Sequence, residues 1–254
     1  MPRWIRSGEL WQLAPPTRLP LASGQPPEHR RAVLEFIGGS YLAASPQLSY
    51  RRLLEALASL GWWIHAWSYV PGFDHQQQAN QAWRCFRTLR QQHDQQLGQP
   101  GLVLRLGHSL GCKLHLLAPD GGRASALVAL SFNNFSAERS VPLLAEMGQQ
   151  FGFRSEFSPS PAATLIQVQQ AYVQPRNLLV RFAADRIDQS ARLLDSLRSR
   201  TDDRSELVEL PGDHLSPASG GLRRQLLGSW ADDPARGRRI THLAGLINRW
   251  AGHD

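Results

Sequence analysis

"LVLRLGHSLGCKLHLL", residues 102–117, decides how this chain is read. An apolar run ends at Gly107, Ser109 stands between Gly107 and Gly111, and a helical pattern follows. The pattern G-x-S-x-G at a strand-to-helix junction has a physical reason for each residue type. The serine backbone is strained at such a turn, and side chains two positions either side would collide with neighbouring backbone. The turn lifts the hydroxyl above the sheet, in front of a helix N-terminus that favours developing negative charge. Ser109 is read as a nucleophile, against the plainer reading of a serine in a glycine-flanked bend.

Working outward, strand and helix patterns alternate. RWIRSGELWQL (3–13) reads as a hairpin turning at Ser7–Gly8, and AVLEFIGG (32–39) as a buried strand ending on two glycines. QLSYRRLLEALASLG (47–61) reads as one helix with a glycine stop, WWIHAWSYV (62–70) as a strand, and residues 75–98 as a long polar-faced helix. ASALVALSF (124–132), NLLVRF (177–182) and SELVEL (205–210) read as further strands, and 220–251 as a terminal helical segment. Such alternation predicts an α/β fold, a mostly parallel sheet with helices on both faces. Residues 133–176 interrupt it and are read as a small inserted lid or cap within a single domain spanning 1–254.

A neutral serine needs a base, and the base needs an orienting carboxylate. In folds with this turn they follow in the order serine, acid, histidine. Asp185 follows the strand at 177–182, and His214 lies in the loop after the last strand. Parallel strands share an edge, so both are expected beside Ser109. Asp188 is the alternative acid, with a helix cap as its plainer role. His108 is expected to pack rather than act as base. The oxyanion donors are expected to be the backbone N–H of Leu110 and that of Gly39 or Ser40. Asp74, His75, Asn133 and Asn134 are possible pocket residues, for which capping is the competing role.

Composition excludes several classes. No apolar run approaches a membrane span. The N-terminal stretch lacks the apolar core of a secretory signal, so a soluble, cytoplasmic protein is expected. Two cysteines, Cys85 and Cys112, imply no disulfide framework. No metal-binding spacing is present among the nine histidines, so neither metal nor cofactor is expected. The net charge is +7, and Lys113 is the only lysine. No nucleic-acid motif accompanies that charge, so no nucleic-acid partner is expected; an arginine-rich face is compatible with peripheral membrane contact.

These motifs resemble the α/β-hydrolase superfamily over about residues 30–250. EFIGGSYLAASPQLSYRRLLEALA, VPGFDHQQQANQAWRCF, GHSLGCKLHLL, SFNNFSAERSVPLL, EFSPSP, NLLVRFAADRIDQS and LPGDHLSP together resemble the domain-of-unknown-function 1350 family, found mainly in cyanobacteria and plant plastids. The resemblance implies the α/β-hydrolase fold and maps its nucleophile, acid and base onto Ser109, Asp185 and His214. It departs from the superfamily at Ile37-Gly38, where His-Gly is common, and at Phe182-Ala183-Ala184, where a glycine commonly precedes the acid. The function expected is serine hydrolysis of an ester, thioester or related acyl bond in a small-molecule substrate. Phe151, Phe153 and Phe157 in the insertion suggest a lipid-like or other hydrophobic acyl chain. The alternative is a catalytically silent binding or scaffold protein that keeps the turn for structural reasons.

Overall fold

The computed structural model describes residues 3–16, 31–119, 124, 126–137, 156–219 and 234–253. Eight strands form one sheet: β1 (Ile5–Ser7), β2 (Leu10–Leu13), β3 (Ala32–Ile37), β4 (Trp62–Trp67), β5 (Leu102–His108), β6 (Ala126–Leu130), β7 (Asn177–Phe182) and β8 (Glu206–Leu210). Their order across the sheet is β1-β2-β4-β3-β5-β6-β7-β8. The N-terminal hairpin pairs antiparallel with β4, and every pairing from β4 through β8 is parallel. The carboxyl ends of β3 and β5 to β8 therefore share one edge.

Helices α1 (Pro46–Ser49), α2 (Arg51–Ser59), α3 (His75–Leu97), α4 (Leu110–Leu117), α5 (Pro161–Ala171), α6 (Ser190–Arg198) and α7 (Pro234–Ala251), with a single 3₁₀ turn at Ser40–Leu42, complete the described elements. On one face, Leu53 and Leu57 of α2 and Leu243 and Ile247 of α7 pack on Leu34, Phe36, Leu104 and Val128. The other face carries α3 and α4 against Ile37 and Trp67, then α5 and α6 against Leu127 and Leu179. Strand side chains alternate between faces, which is why β3 serves both cores.

The segment read as a single helix over 47–61 is two. Tyr50 breaks it with φ −121° and ψ 17°, and its side chain is fully buried. Just past the break, the N–H of Arg52 donates to Ser219 Oγ at 2.8 Å. Of the insertion read at 133–176, residues 138–155 lie outside the described residues, and so do Phe151 and Phe153. Its described helix α5 buries Val168 in the same cluster as Cys112 of α4 and Leu193 of α6, so this part is a helix of the sheet's covering layer. No helix among the described residues is long and apolar enough to cross a membrane.

The α3–α4 face also buries charge. Glu35, in the middle of β3, is 1% exposed and meets Arg90 Nε of α3 at 3.0 Å and Arg105 Nε of β5 at 4.0 Å. Arg105 also donates to the carbonyl of Pro119 at 2.8 Å. Removing one member of such a group leaves an uncompensated buried charge, at a cost of about 3–5 kcal/mol. Glu35→Ala is expected to lower unfolding free energy by that order in a urea titration.

His65 of β4 is 1% exposed, and neither ring nitrogen has a hydrogen-bond partner among the described residues. Burial, aided by the nearby His93 and Arg31, lowers its pKa from 6.5 to about 3. The unfolded chain then binds the extra proton first. The stability gained from keeping His65 neutral is complete above pH 6.5 and is lost as pH falls toward 3. The loss is about 2 kcal/mol between pH 6.5 and 5. Urea titrations at those two pH values are expected to show this loss, reduced in His65→Phe.

Candidate active site

The turn after β5 is built by what its glycines exclude. A Cβ on Gly111 would lie 2.0 Å from the carbonyl oxygen of Ile37, and one on Gly107 would lie 2.7 Å from Cys112 Cα. Only bare backbone lets β5 turn into α4 this close to the end of β3. Ser109 itself takes φ 54° and ψ −120°, a strained conformation for a residue with a side chain. Its N–H donates to the carbonyl of Leu130 at the end of β6, 2.9 Å away, which pins the turn to the neighbouring strand.

Asp185 and His214 meet Ser109 at this edge. Asp185 sits in the turn that follows β7, its N–H donating to the carbonyl of Phe182. His214 lies in the loop after β8, which Asp213 shapes by accepting from the N–H of Leu215 at 3.0 Å. Asp185 Oδ2 is 2.8 Å from His214 Nδ1, and His214 Nε2 is 3.1 Å from Ser109 Oγ. A carboxylate only accepts, so His214 Nδ1 carries the proton and Nε2 is left to accept from the serine hydroxyl. The Asp185 side chain is fully buried. Burial pushes its carboxyl upward, but hydrogen bonds from Ile187 N–H and His214 outweigh that and hold it below its ordinary range.

Asp188, the alternative acid, spends its two oxygens on Ser190, accepting from the N–H at 3.0 Å and the hydroxyl at 2.8 Å. It caps α6. Asp74 caps α3 by accepting from Gln77 N–H at 2.8 Å, and it is not among the cavity-lining residues. His75, Asn133 and Asn134 do line the cavity. Asn133 donates to the carbonyl of Ile187, and Asn134 to that of Pro161.

Gly39 and Ser40 both line the cavity with Ser109, but they are not equivalent. The N–H of Gly39 donates to Tyr50 Oη at 2.8 Å. That donor is engaged inside the protein, which removes Gly39 from the pair expected for the oxyanion and leaves Ser40. Tyr50 Oη lies 2.7 Å from His108 Nδ1, and His108 Nε2 lies 2.8 Å from the carbonyl of His214. A carbonyl only accepts, so Nε2 is the protonated nitrogen and Tyr50 donates to Nδ1. Burial lowers the His108 pKa to about 3, so the ring is neutral in this chain of bonds. His108 packs, as expected from the sequence, and in doing so ties the loop of His214 to the loop of Gly39. Tyr50 carried no motif; its only signal was an aromatic in a helix three positions after the Pro46–Gln47 start.

The cavity in front of Ser109 has a volume of about 570 Å³. Leu110, Lys113, His75 and Phe157 line it, with Arg186 and Tyr41 at exposed positions. The Phe157 ring stacks on His75 with centroids 4.2 Å apart. Among the described residues no cluster of three or more His, Cys, Asp or Glu could hold a metal ion.

A family model described as "Protein of unknown function (DUF1350)" matches residues 25–241. The chain belongs to the DUF1350 family. Among curated proteins none matches this DUF1350 sequence. Among solved structures, it is similar to a thermophilic esterase, esterase 2, from the Planctomycetes species Thermogutta terrifontis. The butyrate-bound form superposes with a TM-score of 0.59 at 17% identity, covering 96% of this chain and 90% of that one. The form phosphonylated by sarin gives 0.61 and the apo form 0.60, at the same identity and coverage. The DUF1350 chain has the α/β-hydrolase fold.

Tyr50→Phe removes the acceptor of Gly39 N–H and the donor to His108 together. Two buried groups lose their partners, at about 1–3 kcal/mol each. Chemical denaturation is expected to show a loss of that order, and Tyr50→Leu a larger one because the ring also packs on Phe36 with centroids 4.6 Å apart.

Proposed function

We propose that this chain is a serine hydrolase that cleaves an ester or related acyl bond through an acyl-enzyme intermediate. The observation that carries the reading is the unbroken line from Asp185 through His214 to Ser109, with contacts of 2.8 and 3.1 Å, at the mouth of a cavity. Ser109 Oγ attacks the substrate carbonyl carbon, and its proton passes to His214 Nε2. The Asp185 carboxylate holds the imidazole in the productive tautomer and stabilises the imidazolium. The charge that develops on the carbonyl oxygen is met by the N–H groups of Leu110 and Ser40. Loss of one such donor typically costs about 2.7–4 kcal/mol of transition-state stabilisation. The alcohol leaves with the proton from Nε2. Water then gives a proton to the same nitrogen and attacks the acyl carbon, which frees the acid and restores Ser109.

The likeness to an esterase that has been seen with butyrate bound and phosphonylated by sarin supports the same reading. So does the strained backbone of Ser109, which holds the hydroxyl beside both its base and the start of α4.

A fluorophosphonate probe tests this directly. The expected result is one adduct, mapped by mass spectrometry to Ser109, absent in Ser109→Ala and strongly slowed in His214→Ala. Asp185→Asn is expected to lower the labelling rate by up to about 10⁴-fold, because the imidazole then adopts the wrong tautomer. Folded wild-type protein that forms no adduct across pH 6 to 9 would sink the hydrolase reading and leave a binding protein of the same fold.

A further inference from the structure

The cavity wall holds the only lysine of the chain. Lys113 lies one helical turn beyond Ser109 on α4, about 6 Å along the axis. The residue is 1% exposed, and its Nζ donates to the carbonyl of Pro159 at 2.9 Å. It lies 5.8 Å from the centroid of the Phe157 ring. Burial lowers its pKa from 10.5 to about 8, a shift that Glu156 partly offsets, so the ammonium is still the main form at neutral pH. The Glu156 carboxylate itself accepts from the N–H groups of Ala137 and Phe157 at 3.0 and 2.7 Å.

Beside it, His75 is 2% exposed, and among the described residues neither of its nitrogens has a hydrogen-bond partner. Burial, and after it the nearby Lys113, lowers its pKa to about 3, so the ring is neutral and can donate one N–H. Asn134 Oδ1, also buried, has no partner among the described residues either. Orphaned buried polar groups are costly and call for a partner. The charged side chains lining the cavity are Lys113 and, at an exposed position, Arg186; no carboxylate lines it among the described residues.

We infer that the acyl group of the substrate ends in a carboxylate, held by the Lys113 ammonium and an N–H of His75. This inference rests on the hydrolase reading for its chemistry and adds the substrate class. One buried cation offsets one negative charge, which fits a carboxylate better than a doubly charged phosphate. The buried side of the cavity takes the acyl part, because the alcohol must leave before water arrives and therefore lies toward the exposed side. A plain aliphatic chain would leave the ammonium and the imidazole desolvated and without a ligand.

The kinetic test compares mono-p-nitrophenyl adipate with p-nitrophenyl hexanoate, which have acyl chains of the same length with and without the terminal charge. The wild type is expected to favour the adipate by about tenfold or more in kcat/KM, as a charged hydrogen bond of 1.5–3 kcal/mol would give. Lys113→Met is expected to bring that ratio to about one or below, and Lys113→Arg to retain part of it. A wild-type ratio near one, or a ratio that Lys113→Met leaves in place, would overturn the inference.

A second measurement needs neither a variant nor turnover. Protein grown with ¹³Cε-lysine has a single lysine side-chain NMR signal. Adipate is expected to shift it saturably, and adipamide is expected to leave it in place. No shift with adipate, or equal shifts with both, would overturn the inference. Failure of the triad reading looks different: the fluorophosphonate adduct on Ser109 is then missing, whatever the lysine signal does.

Discussion

The site depends on one steric constraint, the approach of α4 to the carboxyl end of β3. A methyl group at Gly111 would lie 2.0 Å from the Ile37 oxygen, so the backbones meet with nothing between them. This contact brings the loop after β3 against the nucleophile turn. A Cβ at Gly39 would in turn lie 3.0 Å from both Ser109 Cβ and His108 Nδ1. The strained φ of Ser109 is held because its N–H bonds to β6 and α4 starts at the next residue. Strain of this kind persists only where the surroundings over-determine it.

The second tie is polar. Gly39 N–H, Tyr50 Oη, His108 and the carbonyl of His214 form one chain of hydrogen bonds across the floor of the site. It links three loops that come from β3, β5 and β8. The two bonds of Tyr50 Oη are buried, where a paired group is held firmly and an unpaired one is expensive. His214 thus has two fixed points: its ring is held by Asp185 and its backbone by His108. The break in the helix at Tyr50 belongs to this design, since a continuous helix over 47–61 would carry the tyrosine elsewhere.

How much of this could be read from residues alone follows from the range of the forces involved. The turn at Gly107–Gly111 and the order serine, acid, histidine are local or topological, so periodicity and strand ends were enough to place Ser109, Asp185 and His214 on one edge. Capping is local too, and Asp74 and Asp188 have the bonding that short spacing suggests. Side-chain contacts between distant segments leave no such mark. Tyr50 to His108 spans 58 positions, and Glu35 sits charged in what reads as an apolar strand because Arg90 and Arg105 arrive from other elements. Choosing between Gly39 and Ser40 required knowing where the tyrosine hydroxyl goes. Residues 133–176 read as an insertion because Pro, Gly and Ser interrupt the period, and that composition cannot distinguish a lid from a covering helix such as α5.

Charge placement connects recognition to chemistry. Asp185 contributes one buried negative charge, and in the proposed reaction the imidazole of His214 takes up a proton as Ser109 attacks. Without a bound anion, the Lys113 ammonium, held in the cavity wall by the Pro159 carbonyl, opposes that new imidazolium, the more so the lower the local dielectric. A carboxylate on the acyl chain neutralises Lys113 before the reaction begins. In the proposed complex the same contact that selects the substrate also removes a repulsion in the transition state, so part of the binding energy would appear in kcat rather than in KM alone. A neutral acyl chain of equal length fills the cavity without this effect. On this reading the lone lysine, placed one turn after the nucleophile in a chain whose other strong cations are all arginines, sets the substrate class by the charge that the reaction needs to find already paired.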